Sequence, residues 1–214
     1  MKRFLVTTAA MLLGAAVLVF LFRAPLKDMA IDKLTANMFV PEDTDSFDPG
    51  PALGSHFPGL RAVYQGREIT RLEDFSGEHG TIFIASRSLD WCPYCMRQMI
   101  QLQQDKAAFD AAGIGMVAIT YDAPSLQQAF VDKFAISIPI LSDQKALSFK
   151  TLGILNEKYQ PGDTQYGIPH PGMIIIDTQG KVVGKLFLEA YSSRVDSAAA
   201  LAFAEAALGL ERAP

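Results

Sequence analysis

Apolar positions between Leu60 and Leu208 come in short blocks whose period switches between two and about 3.6, the signature of alternating strands and helices. Arg61 to Tyr64 and Glu68 to Thr70 flank a Gln65, Gly66 turn and predict a short hairpin; Leu72, Phe75 and Gly77 follow as a turn or a single helical turn. The apolar run from Thr81 to Ser86 predicts a buried strand. From Pro93 to about Ala112, Met96, Met99 and Ile100 recur at helical spacing, with Pro93 suited to a first turn and Gly113 as the stop. A strand from Ile114 to Thr120 and a helix from Pro124 to Phe134 come next. A strand from Ile138 to Leu141, broken by Pro139, precedes a helix from about Gln144 to Leu152 and a polar loop from Asn156 to Gly167. Gly172 to Asp177 and Lys181 to Leu188 form a second hairpin around Thr178, Gln179 and Gly180, and an Ala-rich helix from Ser192 to Leu208 closes the pattern. This order predicts an α/β fold with a mixed sheet, a parallel half, and helices on both faces.

The first residues differ in kind. Met1, Lys2 and Arg3 precede an uncharged, largely apolar run from Phe4 to Phe22, long enough to span a hydrocarbon core. No small-x-small cleavage site follows, since Phe22 is succeeded by Arg23, Ala24, Pro25 and Leu26, which favours an uncleaved signal anchor over residues 1–27 rather than a removed signal peptide. Either form exports the rest of the chain. Residues 28–58, rich in Asp, Pro and Gly, read as a linker, leaving residues 59–214 as the folded domain. The formal charge of −4 and the absence of any basic patch argue against a nucleic-acid partner.

The chain has only two cysteines, Cys92 and Cys95, in the run Trp91, Cys92, Pro93, Tyr94, Cys95 between the buried strand and the long helix. Thiols at i and i+3 of a first helical turn share one face and can close a disulfide without moving the backbone. Helix amides and dipole stabilise the outer sulfur as its thiolate. A purely structural bond closing so short a loop would stabilise an exported protein little, so the pair reads as a redox-active disulfide. The Met96, Met99 and Ile100 stripe reads as core packing.

These residues resemble the thioredoxin-like superfamily, and more narrowly its redoxin or AhpC/TSA branch of peroxiredoxins and membrane-tethered thiol-disulfide oxidoreductases. The resemblance covers about Gly59 to Gly209. It rests on the Gly66 hairpin, on Leu72, Phe75 and Gly77, and on Trp91 to Cys95. Ile140 to Asp143, Leu152 to Ile154, and Pro169, His170, Pro171 and Gly172 running into Ile174 to Asp177 and Gly180 complete it. It implies a thioredoxin-like fold in which Pro171, or alternatively Pro169, is a cis proline facing the dithiol and holding an extended substrate. The chain departs from the peroxiredoxin pattern. With Cys92 as the peroxidatic cysteine, Leu89 stands in the threonine position, Ala85 in the proline position and Pro171 where the arginine would fall, leaving Arg87, Ser88 and Arg97 as substitutes. The buried acid of thioredoxins is replaced by Ser86, and Asp90 is the expected helix N-cap.

The favoured reading is an exported thiol-disulfide oxidoreductase in which Cys92, the outer thiol, attacks a partner disulfide and Cys95 resolves the mixed disulfide. Trp91, Pro93, Tyr94, His170 and Pro171 are the expected substrate-binding residues. Pro93 and Tyr94 resemble the glutaredoxin dipeptide, implying a potential on the order of −200 mV. Partners would be protein or small-molecule disulfides and thiols, an external electron donor, and the membrane through the first helix, with no cofactor. The alternative is a peroxiredoxin-like thiol peroxidase reducing hydroperoxides. A third reading is Cu(I) delivery through both thiolates and His170. Zinc is disfavoured because there is no second cysteine pair and His56 and His79 lie in a linker and a turn.

Overall fold

The computed structural model describes Met29 and residues 31–210, in two compact units divided between Asn37 and Met38. The first shows a helical turn over residues 31–35, in which the Thr35 hydroxyl donates to the Ile31 carbonyl at 2.8 Å. The apolar run of residues 4–22, expected as an anchor, lies outside the described residues; among these no helix is long and apolar enough to cross a membrane.

The second unit is built on a seven-stranded mixed sheet. Its elements are β1 (Phe39–Val40), β2 (Ala62–Tyr64), β3 (Arg67–Ile69), β4 (Gly80–Ala85), α1 (Pro93–Ala111), β5 (Ile114–Thr120) and α2 (Pro124–Phe134). They continue as β6 (Ile140–Ser142), α3 (Leu147–Leu152), β7 (Gly172–Asp177), β8 (Val182–Phe187), β9 (Arg194–Val195) and α4 (Ser197–Ala207). The sheet order is β3-β2-β6-β5-β4-β7-β8, with β4, β5 and β6 parallel and the outer strands antiparallel. The period-two pattern sorts each central strand onto two cores. Ile82 and Ile84 of β4 and Met173 and Ile175 of β7 face Met99, Leu102 and Phe109 of α1, Phe130 of α2 and Ala200 and Ala204 of α4. Phe83, Ala85, Ile174 and Ile176 face Phe149 and Leu152 of α3, Leu60 ahead of the first hairpin and Ile69 within it. Gly77 and Gly115 let the turn after residues 73–75 lie against β5, for a Cβ at either would run into backbone.

Two sequence expectations change. The segment read as a linker up to Pro58 is docked from Met38 onward: β1 pairs in parallel with β9, Gly54 N–H donates to the Val182 carbonyl, and the Phe57 ring meets Phe83 edge-on at 5.0 Å. Its Asp-rich composition hid this because the anchoring contacts are backbone bonds and a few aromatics. The last helix starts at Ser197 rather than Ser192, because Asp196 caps it by accepting from Ala198 N–H at 2.9 Å, and Arg194 and Val195 are drawn into β9.

Candidate active site

β4 ends at Ala85, and the next seven residues turn the chain into α1. That turn is pegged by Asp122, which follows the end of the neighbouring β5. Its Oδ1 accepts from the Ser88 hydroxyl at 2.7 Å, and its Oδ2 from Leu89 N–H at 2.7 Å and the Thr120 hydroxyl at 3.0 Å. Ser88 Oγ accepts in turn from the N–H groups of Asp90 and Trp91, folding the loop onto itself. Burial pushes the Asp122 carboxyl above its ordinary range, against the lowering effect of those donors.

Cys92, not Asp90, is the N-cap of α1: its Sγ accepts from Cys95 N–H at 3.2 Å, and Pro93 occupies the first turn as expected. Cys92 and Cys95 are joined as a disulfide with Cα atoms 5.3 Å apart. The expectation of an outer and an inner thiol is modified, since the two residues are 1% and 0% exposed. The loop between β8 and β9 meets the residues next to the pair. Tyr191 stacks edge-on to Tyr94 with ring centroids 6.1 Å apart, and the Arg87 guanidinium lies 5.4 Å from the Tyr191 ring centroid.

Each sulfur meets a different arginine. Arg87 Nη2 donates to Cys92 Sγ at 3.3 Å and to the Tyr191 carbonyl at 3.1 Å, while its buried Nε finds no acceptor among the described residues. Arg194 Nη2 donates to Cys95 Sγ at 3.4 Å, its Nε to Gln98 Oε1 at 3.1 Å, and its Nη1 to the carbonyls of Tyr191 and Ser193. Arg194 is 2% exposed, and burial, with Arg87 beside it, pushes its guanidinium down to about 9. Burial also lowers Arg87, with Tyr159, Tyr191 and Tyr94 opposing.

Of the three substitutes for the missing family arginine, Arg87 reaches the dithiol, Ser88 turns to Asp122, and Arg97 is exposed. Ser86 Oγ is buried without a partner among the described residues. Trp91 is exposed beside the pair, its indole N–H donating to the Tyr121 hydroxyl at 2.8 Å. Pro171 lines a cavity of about 10 Å³ together with Gln98 and Arg194, the two residues bonded to each other behind Cys95. No peptide bond among the described residues is cis, so the expected cis proline at Pro171 or Pro169 is trans. The His170 ring packs edge-on against Phe47 at 4.8 Å, and burial lowers its pKa. Among the described residues no group of three His, Cys, Asp or Glu side chains is placed to hold a metal ion, so the Cu(I) set of both cysteines with His170 does not assemble.

Sequence reasoning missed Arg194, Asp122 and Tyr121. The Asp196, Ser197 cap signal excludes Arg194 from the last helix, and Tyr121 and Asp122 sit where a strand's carboxyl end feeds the site crevice.

A thioredoxin-like sheet carrying a CxxC disulfide where a central strand passes into a helix defines a thiol oxidoreductase. The chain belongs to the AhpC/TSA family, whose model matches residues 53–185, more than half of its length. Peroxiredoxin Bcp of Escherichia coli is 27% identical over 129 residues, spanning 60% of this chain and 81% of the relative. The thiol-disulfide oxidoreductase ResA of Halalkalibacterium halodurans is 30% identical over 95 residues, 44% of this chain and 46% of the relative. The crystal structure of peroxidoxin BcpB from Mycobacterium tuberculosis superposes with a TM-score of 0.60 at 19% identity, over 75% of this chain and 98% of that one, a likeness of fold. The protein is an oxidoreductase acting on thiol groups.

Proposed function

We propose that this protein is an exported, membrane-anchored thiol-disulfide oxidoreductase that exchanges disulfides with protein or small-molecule partners through Cys92 and Cys95. The observation that carries the reading is the disulfide at the head of α1, with an amide and a guanidinium on Cys92 Sγ and a second guanidinium on Cys95 Sγ. Such donors lower thiol pKa values and stabilise each sulfur as a leaving group. Trp91 and Tyr94, which flank Cys92 in the chain, together with Pro171 would supply surface for the partner's flanking residues, and an external donor or acceptor resets the couple. The apolar run of residues 4–22 is the reason to place the domain outside the cytoplasm. Cys95→Ser should accumulate mixed disulfides on Cys92 in cells; recovery of no trapped species overturns the reading. Protection of the domain from protease added outside the cytoplasm overturns the export.

A second reading, thiol peroxidase, is favoured by the family and by Arg87, which stands against Cys92 although the family's arginine position holds Pro171. The Cys92 thiolate would attack the hydroperoxide, breaking its O–O bond to give a sulfenic acid and release the alcohol or water, and the Cys95 thiol would condense with the sulfenic acid to the disulfide and water. Peroxide consumption no faster than that of a free thiol removes this reading.

A further inference from the structure

Arg87 and Arg194 are both buried, and their hydrogen-bond acceptors are sulfur, carbonyl and amide oxygens; no carboxylate among the described residues is bonded to either. They converge on the Tyr191 carbonyl, at 3.1 and 3.0 Å, so two cations share one neutral acceptor. Buried charge without a counter-ion is costly. A disulfide sulfur is only a weak acceptor, whereas a thiolate accepts charge-assisted bonds of about twice the ordinary strength. The geometry therefore treats the two redox states unequally. Resting on the exchange chemistry proposed above, we infer that Arg194 and Arg87 are catalytic residues that hold Cys95 and Cys92 as thiolates, so that the disulfide works as an acceptor of electrons from dithiol substrates. A couple whose reduced form is selectively stabilised is the stronger oxidant.

Each arginine serves one half of the transfer. A substrate thiolate attacks Cys92 Sγ, the Cys92–Cys95 bond breaks, and Cys95 leaves as a thiolate facing Arg194. The substrate's second thiolate attacks its own sulfur in the mixed disulfide and expels Cys92 as a thiolate facing Arg87 and the Cys95 amide. The substrate loses two electrons and two protons to become a disulfide; the protein gains both electrons, and the protons its cysteines do not keep pass to solvent. The other titratable groups around the pair are Tyr94 on α1, Tyr191 on the loop between β8 and β9, Tyr159 on the polar loop, Asp90 in the turn before α1 and Asp122 after β5. Asp122 is held by the Ser88, Leu89 and Thr120 donors.

The test equilibrates full-length protein with reduced and oxidised glutathione and counts free thiols by alkylation and mass. Arg194→Met, matched in length and apolar, should lower the equilibrium constant for reduction at least tenfold, about 30 mV. In a Cys92→Ser background the ultraviolet thiolate absorbance of Cys95 should titrate at higher pH once Arg194 is Met. Reduced wild type should melt above the oxidised form at neutral pH, and Arg194→Met should remove that order. Arg87→Met, read through Cys92 in a Cys95→Ser background, gives the same comparison should Arg194→Met fail to fold. Unchanged constants overturn the inference, as does a fall in the constant with no change in the Cys95 titration, which would mark a packing role. A wild-type disulfide inert to glutathione removes the exchange reading itself and this inference with it.

Discussion

The two ends of one disulfide are held by different parts of the chain. Cys92 is served by its neighbours: Arg87 five residues before it and the Cys95 amide three after, on a turn closed by Ser88. Cys95 is served from far away, by Arg194, 99 residues on, which reaches it because β9 is clamped to β1 and Asp196 starts α4 immediately behind. The backbone bonds Arg194 N–H to the Met38 carbonyl and Asp196 N–H to the Val40 carbonyl, both 2.8 Å, fix that strand. The donors to the first sulfur thus come from local turn geometry, tied to the far loop by the bond from Arg87 to the Tyr191 carbonyl, whereas the donor to the second depends on whether the ends of the folded unit meet.

Replacing the cysteines one at a time should break the comparison most strongly. Cys92→Ser should abolish exchange, because it removes the attacked and attacking sulfur, while Cys95→Ser should keep the first step and halt at the mixed disulfide. Turnover of a chromogenic disulfide together with non-reducing gels reads both. Full turnover by Cys92→Ser would show that Cys95 alone performs the chemistry.

The same division explains what the sequence discloses. The hydrophobic pattern placed β4, β5, α1, α2 and β7 because the strands are buried between the two cores and each helix buries one face on a core, so that their apolar runs and stripes follow from that burial. CxxC disclosed the dithiol, and the residues of its own turn were within reach of inspection. Arg194 was not, because a buried arginine reads in sequence as one more charged helix residue, and only the Met38 to Val40 pairing explains why it points inward. The stretch before Pro58 failed for the same reason: two-residue strands held by backbone bonds leave no period in the side chains. Pro171 was expected as a cis proline facing the dithiol, but its peptide is trans.

On the Cys92 side, the peg to remove next is Asp122. In Asp122→Asn one of the two acceptor oxygens becomes a donor facing donors, and the expected loss is about 1–3 kcal/mol in urea unfolding of the oxidised protein. The sign of its pH dependence follows from burial. A carboxyl raised in the folded state contributes most below its ordinary value of about 3.9 and loses that contribution as pH rises through the raised value. The deficit of Asp122→Asn relative to wild type should therefore be greatest in acid and shrink toward neutrality. A deficit that grows with pH would mean the folded state favours the carboxylate.

On the Cys95 side, Asp196→Ala removes the cap of α4 and the bond from Gln101 Nε2 at 2.7 Å that ties α4 to α1. About 1 kcal/mol of stability should go with the cap. Alkylation of reduced Cys95 should change while that of Cys92 stays as in wild type, since nothing on the Cys92 turn bonds to Asp196. Equal changes at both cysteines would show that the two supports are one.

The smallest effect on stability is expected at Trp91, the exposed edge of the site. The residue is 42% exposed and its polar handle is satisfied by Tyr121, so Trp91→Ala should change unfolding free energy by no more than about 0.5 kcal/mol. An exposed tryptophan next to a reactive sulfur is contact area that a protein partner can cover and a small disulfide cannot use. Turnover of a protein disulfide should therefore show a raised KM with kcat near wild type, and exchange with a small aromatic disulfide should be unaffected. If both substrates lose kcat equally, Trp91 and Tyr121 belong to the frame that sets Cys92, and the local support of that sulfur extends to the end of β5.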